Sequence, residues 1–155
     1  MTHERDGEGG GVARIGHYAV RTGDLDASKR FYVEVLGLRV GYRPPFPFPG
    51  LWLYAGQNEG DFGLVHLIGL DADDPSGLKE YLGDRDTAAA GTGALDHIAF
   101  LASDWPAMKR RCEAHGLSYA QRAVPTLGLR QVFLRDPSGV TIELNYPAED
   151  DRPAG

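Results

Sequence analysis

Four residues in this chain are of the types a divalent metal takes, and they stand at matched distances. They are His17, His66, His97 and Glu143. The offset from His17 to His97 is 97 − 17 = 80; from His17 to His66 it is 49, and from His97 to Glu143 it is 46. Imidazole nitrogen and carboxylate oxygen serve zinc, nickel, cobalt, manganese and ferrous iron. Each residue lies in a short apolar run, so each is expected on a strand. Glu143 stands between Ile142 and Leu144, with Thr141 and Asn145 on its own side. A carboxylate buried there without a partner or a metal would cost roughly several kcal/mol. The other reading of Glu143 is a salt-bridged residue on an exposed strand face. For His66 it is a hydrogen-bonded core histidine.

The matched offsets are those of an internal repeat. IGHYAVR (15–21) and LDHIAFL (95–101) share a third-place His and apolar alternation. Asp24 and Asp104 are again 80 apart, and Gly37-Leu38 and Gly116-Leu117 are 79 apart. The chain therefore reads as two copies of one unit, 14–69 and 94–147, joined by an acidic, Gly-rich linker at 70–93 with one short helix at 77–82. In the first copy, 14–21 is a strand. A helix runs from its Asp24 cap to about 36 and is closed by Gly37. Strands follow at 38–43, 51–55 and 62–68. In the second copy, 95–101 is a strand. Ser103 or Asp104 caps a helix with Pro106 in its first turn and Gly116 at its end. Strands follow at 117–123, 129–135 and 140–146, with DPSG (136–139) as the last hairpin turn.

Each unit is thus β-α-β-β-β. The expected fold is α+β: two βαβββ modules forming a mainly antiparallel, cupped, eight-stranded sheet with helices outside. A pseudo-twofold between the copies predicts that the four ligand-type residues meet in one cavity. PPFPFPG (44–50) breaks the first unit's strand pattern, because proline lacks the ladder donor. With LWLY (51–54) it gathers Phe46, Phe48, Trp52 and Tyr54 as an apolar wall for a substrate, or else as a subunit contact. Lys109, Arg110 and Arg111 read as solvated helix surface, and His115 as a helix-end residue facing the dipole. No Gly-rich phosphate loop has the strand-turn-helix context it needs.

Composition narrows the class of function. The 155 residues carry Lys+Arg 16 and Asp+Glu 22, a net charge of −6. No basic stripe is present to track nucleic acid, and no apolar run approaches the ~20 residues that span a bilayer. The single cysteine, Cys112, cannot form an internal disulfide and has no reactive motif beside it, so a reducing, cytoplasmic setting is expected. Residues 1–13, with His3, and 148–155 read as loose tails.

GHYAVRTGDLDASKRFYVEVLGL in the first copy, and DHIAFLASDWPAMKRRCEAHGL with VFLRDPSGVTIELNY in the second, resemble the vicinal oxygen chelate superfamily. That superfamily includes glyoxalase I, methylmalonyl-CoA epimerase, extradiol dioxygenases and bleomycin-resistance proteins. The resemblance covers 14–147. It implies one divalent metal at His17, His66, His97 and Glu143, with Ni, Co, Zn, Mn and Fe all open. It also implies Glu143 as the base that moves a proton, a small-molecule substrate and a homodimer. His66 departs from the pattern, since glyoxalase I usually has Glu there and epimerases often Gln. Arg21, four after His17, matches an arginine that in glyoxalase I helps bind the carboxylate of a thiol cofactor, so a thiol cosubstrate is left open. In such enzymes the metal chelates two adjacent substrate oxygens and an enediolate-type intermediate is stabilised. Three neutral His, one Glu and a divalent ion sum to +1, which favours an anionic substrate. The second reading is a ferrous extradiol-type dioxygenase. Against it, that signature expects Tyr where Phe133 stands and His near Val124, Pro125 and Thr126. The third is a drug-sequestering binding protein with no catalysis.

Overall fold

The computed structural model describes residues 14–57, 63–85, 87–93 and 95–148. The tail expected at 1–13, residues 149–155 of the tail expected at 148–155, and Phe62 at the expected start of a strand lie outside the described residues. No described helix is long and apolar enough to cross a membrane.

Local chemistry sets the elements. β1 (Tyr18–Thr22) leads to α1 (Leu25–Lys29), whose Asp24 carboxylate accepts the Ala27 N–H at 2.9 Å. The helix does not stay α-helical to its end. Arg30–Val35 is wound as a π-helix, with the Leu36 N–H reaching the Phe31 carbonyl at 3.0 Å. Gly37 then reverses the chain at φ +81°, a conformation that penalises any Cβ. β2 (Arg39–Gly41), β3 (Gly50–Tyr54) and β4 (Val65–Gly69) complete the first unit. α2 (Ser76–Leu82) sits in the linker. The second unit is β5 (Ile98–Leu101), α3 (Trp105–Ala114), β6 (Ala120–Val124), β7 (Leu129–Arg135) and β8 (Thr141–Pro147). Asp104, itself left-handed at φ 58°, caps α3 through the Ala107 N–H.

Strand expectations shift at the edges. β2 stops at Gly41 because Tyr42 turns away and its carbonyl accepts the Tyr54 hydroxyl at 2.7 Å. His17 and His97 each stand one residue before their strand, not on it.

The α+β class and the eight strands are as expected. They divide into two four-stranded sheets, ordered β1-β4-β3-β2 and β5-β8-β7-β6, with no ladder joining the two among the described residues. In each sheet the first strand runs parallel to the fourth and the other pairings are antiparallel. Strands alternate their side chains, so each sheet has two distinct faces. One face carries Val20, Leu53, Val65 and Leu67 in the first sheet, and Val132, Leu134, Ile142, Leu144 and Tyr146 in the second. These pack with Phe31, Tyr32, Val35, Trp105, Met108 and Cys112 into one core shared by both units. Arg111, expected in solvent, donates to the Val35 carbonyl at 2.9 Å and ties α3 to the π-helical turn. A polar latch crosses the same seam. Tyr18 donates to the Tyr32 hydroxyl at 3.1 Å, and Tyr32 donates to Asp136 Oδ2 at 2.8 Å. The other oxygen of Asp136 accepts the N–H groups of Ser138 and Val140.

Candidate metal centre

The faces turned away from that core carry the ligand-type residues, and their registers match. In the first sheet His66 lies between Ala19 on β1 and Trp52 on β3. In the second, Glu143 lies between Ala99 on β5 and Phe133 on β7. His17 and His97 stand two residues before those alanines, on the same face. The repeat read from spacing is therefore also a repeat of register.

The two halves differ in geometry. The His17 ring stacks on the His66 ring, centroids 3.8 Å apart and planes inclined by 18°. His66, 8% exposed, is clamped on its other side by Trp52 at 3.9 Å and 5°. An ion lies in the plane of each imidazole, about 2.1 Å from the nitrogen. Nearly parallel stacked rings share no such point, so one ring must turn before both can bind the same ion. The exposed His17 has the room to do so, and His66 does not. In the second half the donors converge. His97 Nε2 faces Glu143 Oε2 at 3.0 Å, and His97 Nδ1 faces Asp96 at 2.7 Å. The Asp96 hydrogen bond raises the His97 pKa, outweighing partial desolvation, with the Glu143 charge adding to it. Glu143 Oε1 accepts Gln131 Nε2 at 2.7 Å and Asn145 Nδ2 at 2.9 Å. Gln131 in turn accepts Arg122 Nε at 2.7 Å. One carboxylate oxygen is thus filled by amide donors, and the other is presented to His97.

Spacing leaves open whether the two modules close on each other in one chain or pair between two chains. Among the described residues no three His, Cys, Asp or Glu gather as a metal cluster. The core takes the opposite face of each sheet, which leaves the ligand-type residues as two separate pairs. The donor types, three imidazoles and one carboxylate, fit a divalent ion. Each pair supplies half of a four-donor set.

The apolar residues fall unevenly. Phe46, Phe48 and Trp52 line a cavity of about 40 Å³ with His17, His66, Arg43 and Tyr81. Phe48 also belongs to a small second core with Ile68, Leu78 and Leu82. Tyr54 is 3% exposed and does not reach that cavity. Arg21 donates to the Ala88 carbonyl at 2.7 Å, which docks the linker onto β1. Sequence reading passed over Asp96, Arg122, Gln131, Arg43 and Tyr81. Gln131 had a signal, as the polar residue in the middle of an apolar strand and on the face of Glu143. Tyr81 had none, because its approach to the site depends on how the linker folds back.

Comparison with known proteins agrees with this architecture. The family model described as Glyoxalase/Bleomycin resistance protein/Dioxygenase superfamily matches residues 14–144. A probable lactoylglutathione lyase of Vibrio parahaemolyticus is 29% identical over 135 residues, covering 84% of this chain and 88% of its own. The structure of a trypanothione-dependent glyoxalase I from Leishmania major superposes with a TM-score of 0.62 at 23% identity, over 89% of each chain. The fosfomycin resistance protein FosX of Listeria monocytogenes superposes with a TM-score of 0.57 at 16% identity, over 87% of this chain and 93% of its own. At those identities the solved structures share the fold with this chain. With its two matched sheets and a family model spanning nearly the whole described chain, the protein belongs to the glyoxalase/bleomycin resistance protein/dioxygenase superfamily.

Proposed function

We propose that this protein is a metal-dependent lyase or isomerase of the glyoxalase kind, acting on a small anionic molecule with adjacent oxygens through an enediolate-type intermediate. The observation that carries the reading is the common register of His66 and Glu143, each with a histidine two residues before its paired alanine. A divalent ion held by His17, His66, His97 and Glu143 would supply Lewis acidity toward the two neighbouring oxygens. The chain's own residues do the rest. Glu143, its Oε1 occupied by Gln131 and Asn145, keeps Oε2 for the ion or for a proton taken from the substrate. Asp96 holds the Nδ1 side of His97, so that Nε2 is the nitrogen presented to the site. Trp52 holds His66 in one orientation. The extradiol reading stays second. Phe133, paired with Glu143, brings no hydroxyl to the place where that chemistry wants one.

The two separate pairs support a homodimer in which His17 and His66 of one copy meet His97 and Glu143 of another. Leu101, Ile15 and Tyr42, exposed at 93%, 87% and 65%, are candidates for the covered surface. The test is metal content of His17→Ala, Glu143→Gln and wild type. About one ion per chain is expected for wild type and none for either variant. Mixing the two variants in equal amounts should restore about a quarter of the sites, because half of the re-formed dimers are mixed and each of those holds one intact composite site. If mixing restores nothing, the shared site is wrong. A Glu143→Gln variant that still turns over substrate refutes the base assignment.

A further inference from the structure

The cavity beside His17 and His66 contains a positive charge that the reaction described above does not use. Arg43, two residues past β2, reaches Gly50, where a Cβ would stand 3.0 Å from its Nη2. Its guanidinium sits 5.0 Å from the Phe46 ring centre and 5.1 Å from that of Phe48, and its Nη2 donates to the Phe48 carbonyl at 2.8 Å. Tyr81, from α2, meets Phe46 edge-on at 5.7 Å and Phe48 at a tilt at 4.8 Å, and closes the wall. Among the described residues no carboxylate pairs with Arg43. Partial desolvation lowers the Arg43 pKa, so the environment works against the charge it contains. Arginine left without an anion in an aromatic pocket is suited to bidentate binding of a carboxylate. The cavity measures about 40 Å³. Such a cavity admits a small polar group.

We propose that Arg43 forms an anion subsite that takes the carboxylate of a small substrate, a 2-oxo or 2-hydroxy acid, and places its neighbouring oxygen beside His17 and His66. The class follows from size and adjacency. Arg43 and both histidines line one small cavity, which suits a ligand whose second oxygen sits close to its carboxylate. Arg43→Gln removes the charge and keeps an N–H donor on a shorter side chain. This inference rests on the metal-enzyme reading for the role of the oxygen, but the anion subsite can be measured without a metal.

The experiment uses the full-length, nitrogen-15-labelled protein, as purified and again after chelation. Glycolate is titrated while the Arg43 Nε–H and the Trp52 indole N–H are followed by NMR, with Trp105 as internal control. Glycolamide and chloride at matched ionic strength are the comparison titrations. The expected result is saturable shifts of Arg43 and Trp52 with glycolate alone, an unmoved Trp105, and at least tenfold weaker binding in Arg43→Gln. Cobalt affinity of Arg43→Gln should equal that of wild type. Equal response to glycolamide or chloride, no saturable shift in wild type, or unchanged glycolate affinity in Arg43→Gln would each overturn the proposal. The wild-type titrations decide the matter even if the variant folds poorly. Glycolate shifts in a protein that binds no metal would uphold the subsite and refute the metal reading instead.

Discussion

Replacing Gln131 by leucine removes the donor that holds Glu143 Oε1 at 2.7 Å, while keeping most of the side-chain volume. Gln131 is 9% exposed, so the lost bond is a buried one to a carboxylate. Such bonds are worth about 1.5–3 kcal/mol. An independent route to the magnitude is the effect of groups that orient metal ligands, which is typically about 10–100-fold in affinity, or roughly 1.4–2.7 kcal/mol. The two ranges agree. Asn145 still donates to the same oxygen at 2.9 Å, so Glu143 keeps one anchor and the loss should be partial. The expectation is cobalt binding about 10–100-fold weaker than in wild type, against complete loss in Glu143→Gln. Competition with a coloured chelator measures it, and the cobalt absorption spectrum should change as the carboxylate loosens. A folded Gln131→Leu protein that binds cobalt within twofold of wild type, with an unchanged spectrum, would refute the argument that this amide fixes Glu143.

Three further outcomes concern the frame around the site. Tyr32→Phe removes the middle of the Tyr18–Tyr32–Asp136 chain and should cost about 2–3 kcal/mol, or roughly 4–12 °C in thermal midpoint for a chain of this size; a change under about 1 °C would contradict the latch. Burial raises the Asp136 pKa above the ordinary carboxylate value, although its hydrogen bonds pull the other way. With the folded pKa above the unfolded one, the folded state binds the extra proton. This contribution to stability is therefore full below pH ~4 and is lost as pH rises through the raised value. Asp136→Asn should flatten that part of the stability–pH curve, and an unchanged curve would show that the group is not the one titrating. Gly77→Ala should destabilise, although alanine favours helices by about 1 kcal/mol. The added Cβ would stand 1.8 Å from the Pro47 carbonyl oxygen, and overpacking of that kind costs roughly 1–3 kcal/mol. A more stable variant in urea unfolding would show that α2 is not docked on the proline loop.

Spacing alone carried the repeat, the caps at Asp24 and Asp104, the α+β class and the four ligand-type residues. These are legible because strand side chains alternate with a period of two and helix ends need particular side chains, both properties of neighbouring residues. The same local rule placed His66 and Glu143 at one register in their sheets. It could not say toward what those faces turn. That was decided by burial: Val20, Leu67, Ile142 and Leu144 pack into a common core, which leaves the two ligand pairs separate. Nor could spacing show the stacking of His17 on His66, the hold of Gln131 on Glu143, or the meeting of Arg43 with Tyr81, 81 − 43 = 38 positions apart. Those contacts join residues from different strands and from the linker. Their existence depends on where the chain's larger pieces come to rest, a balance of buried area that no single stretch of sequence contains.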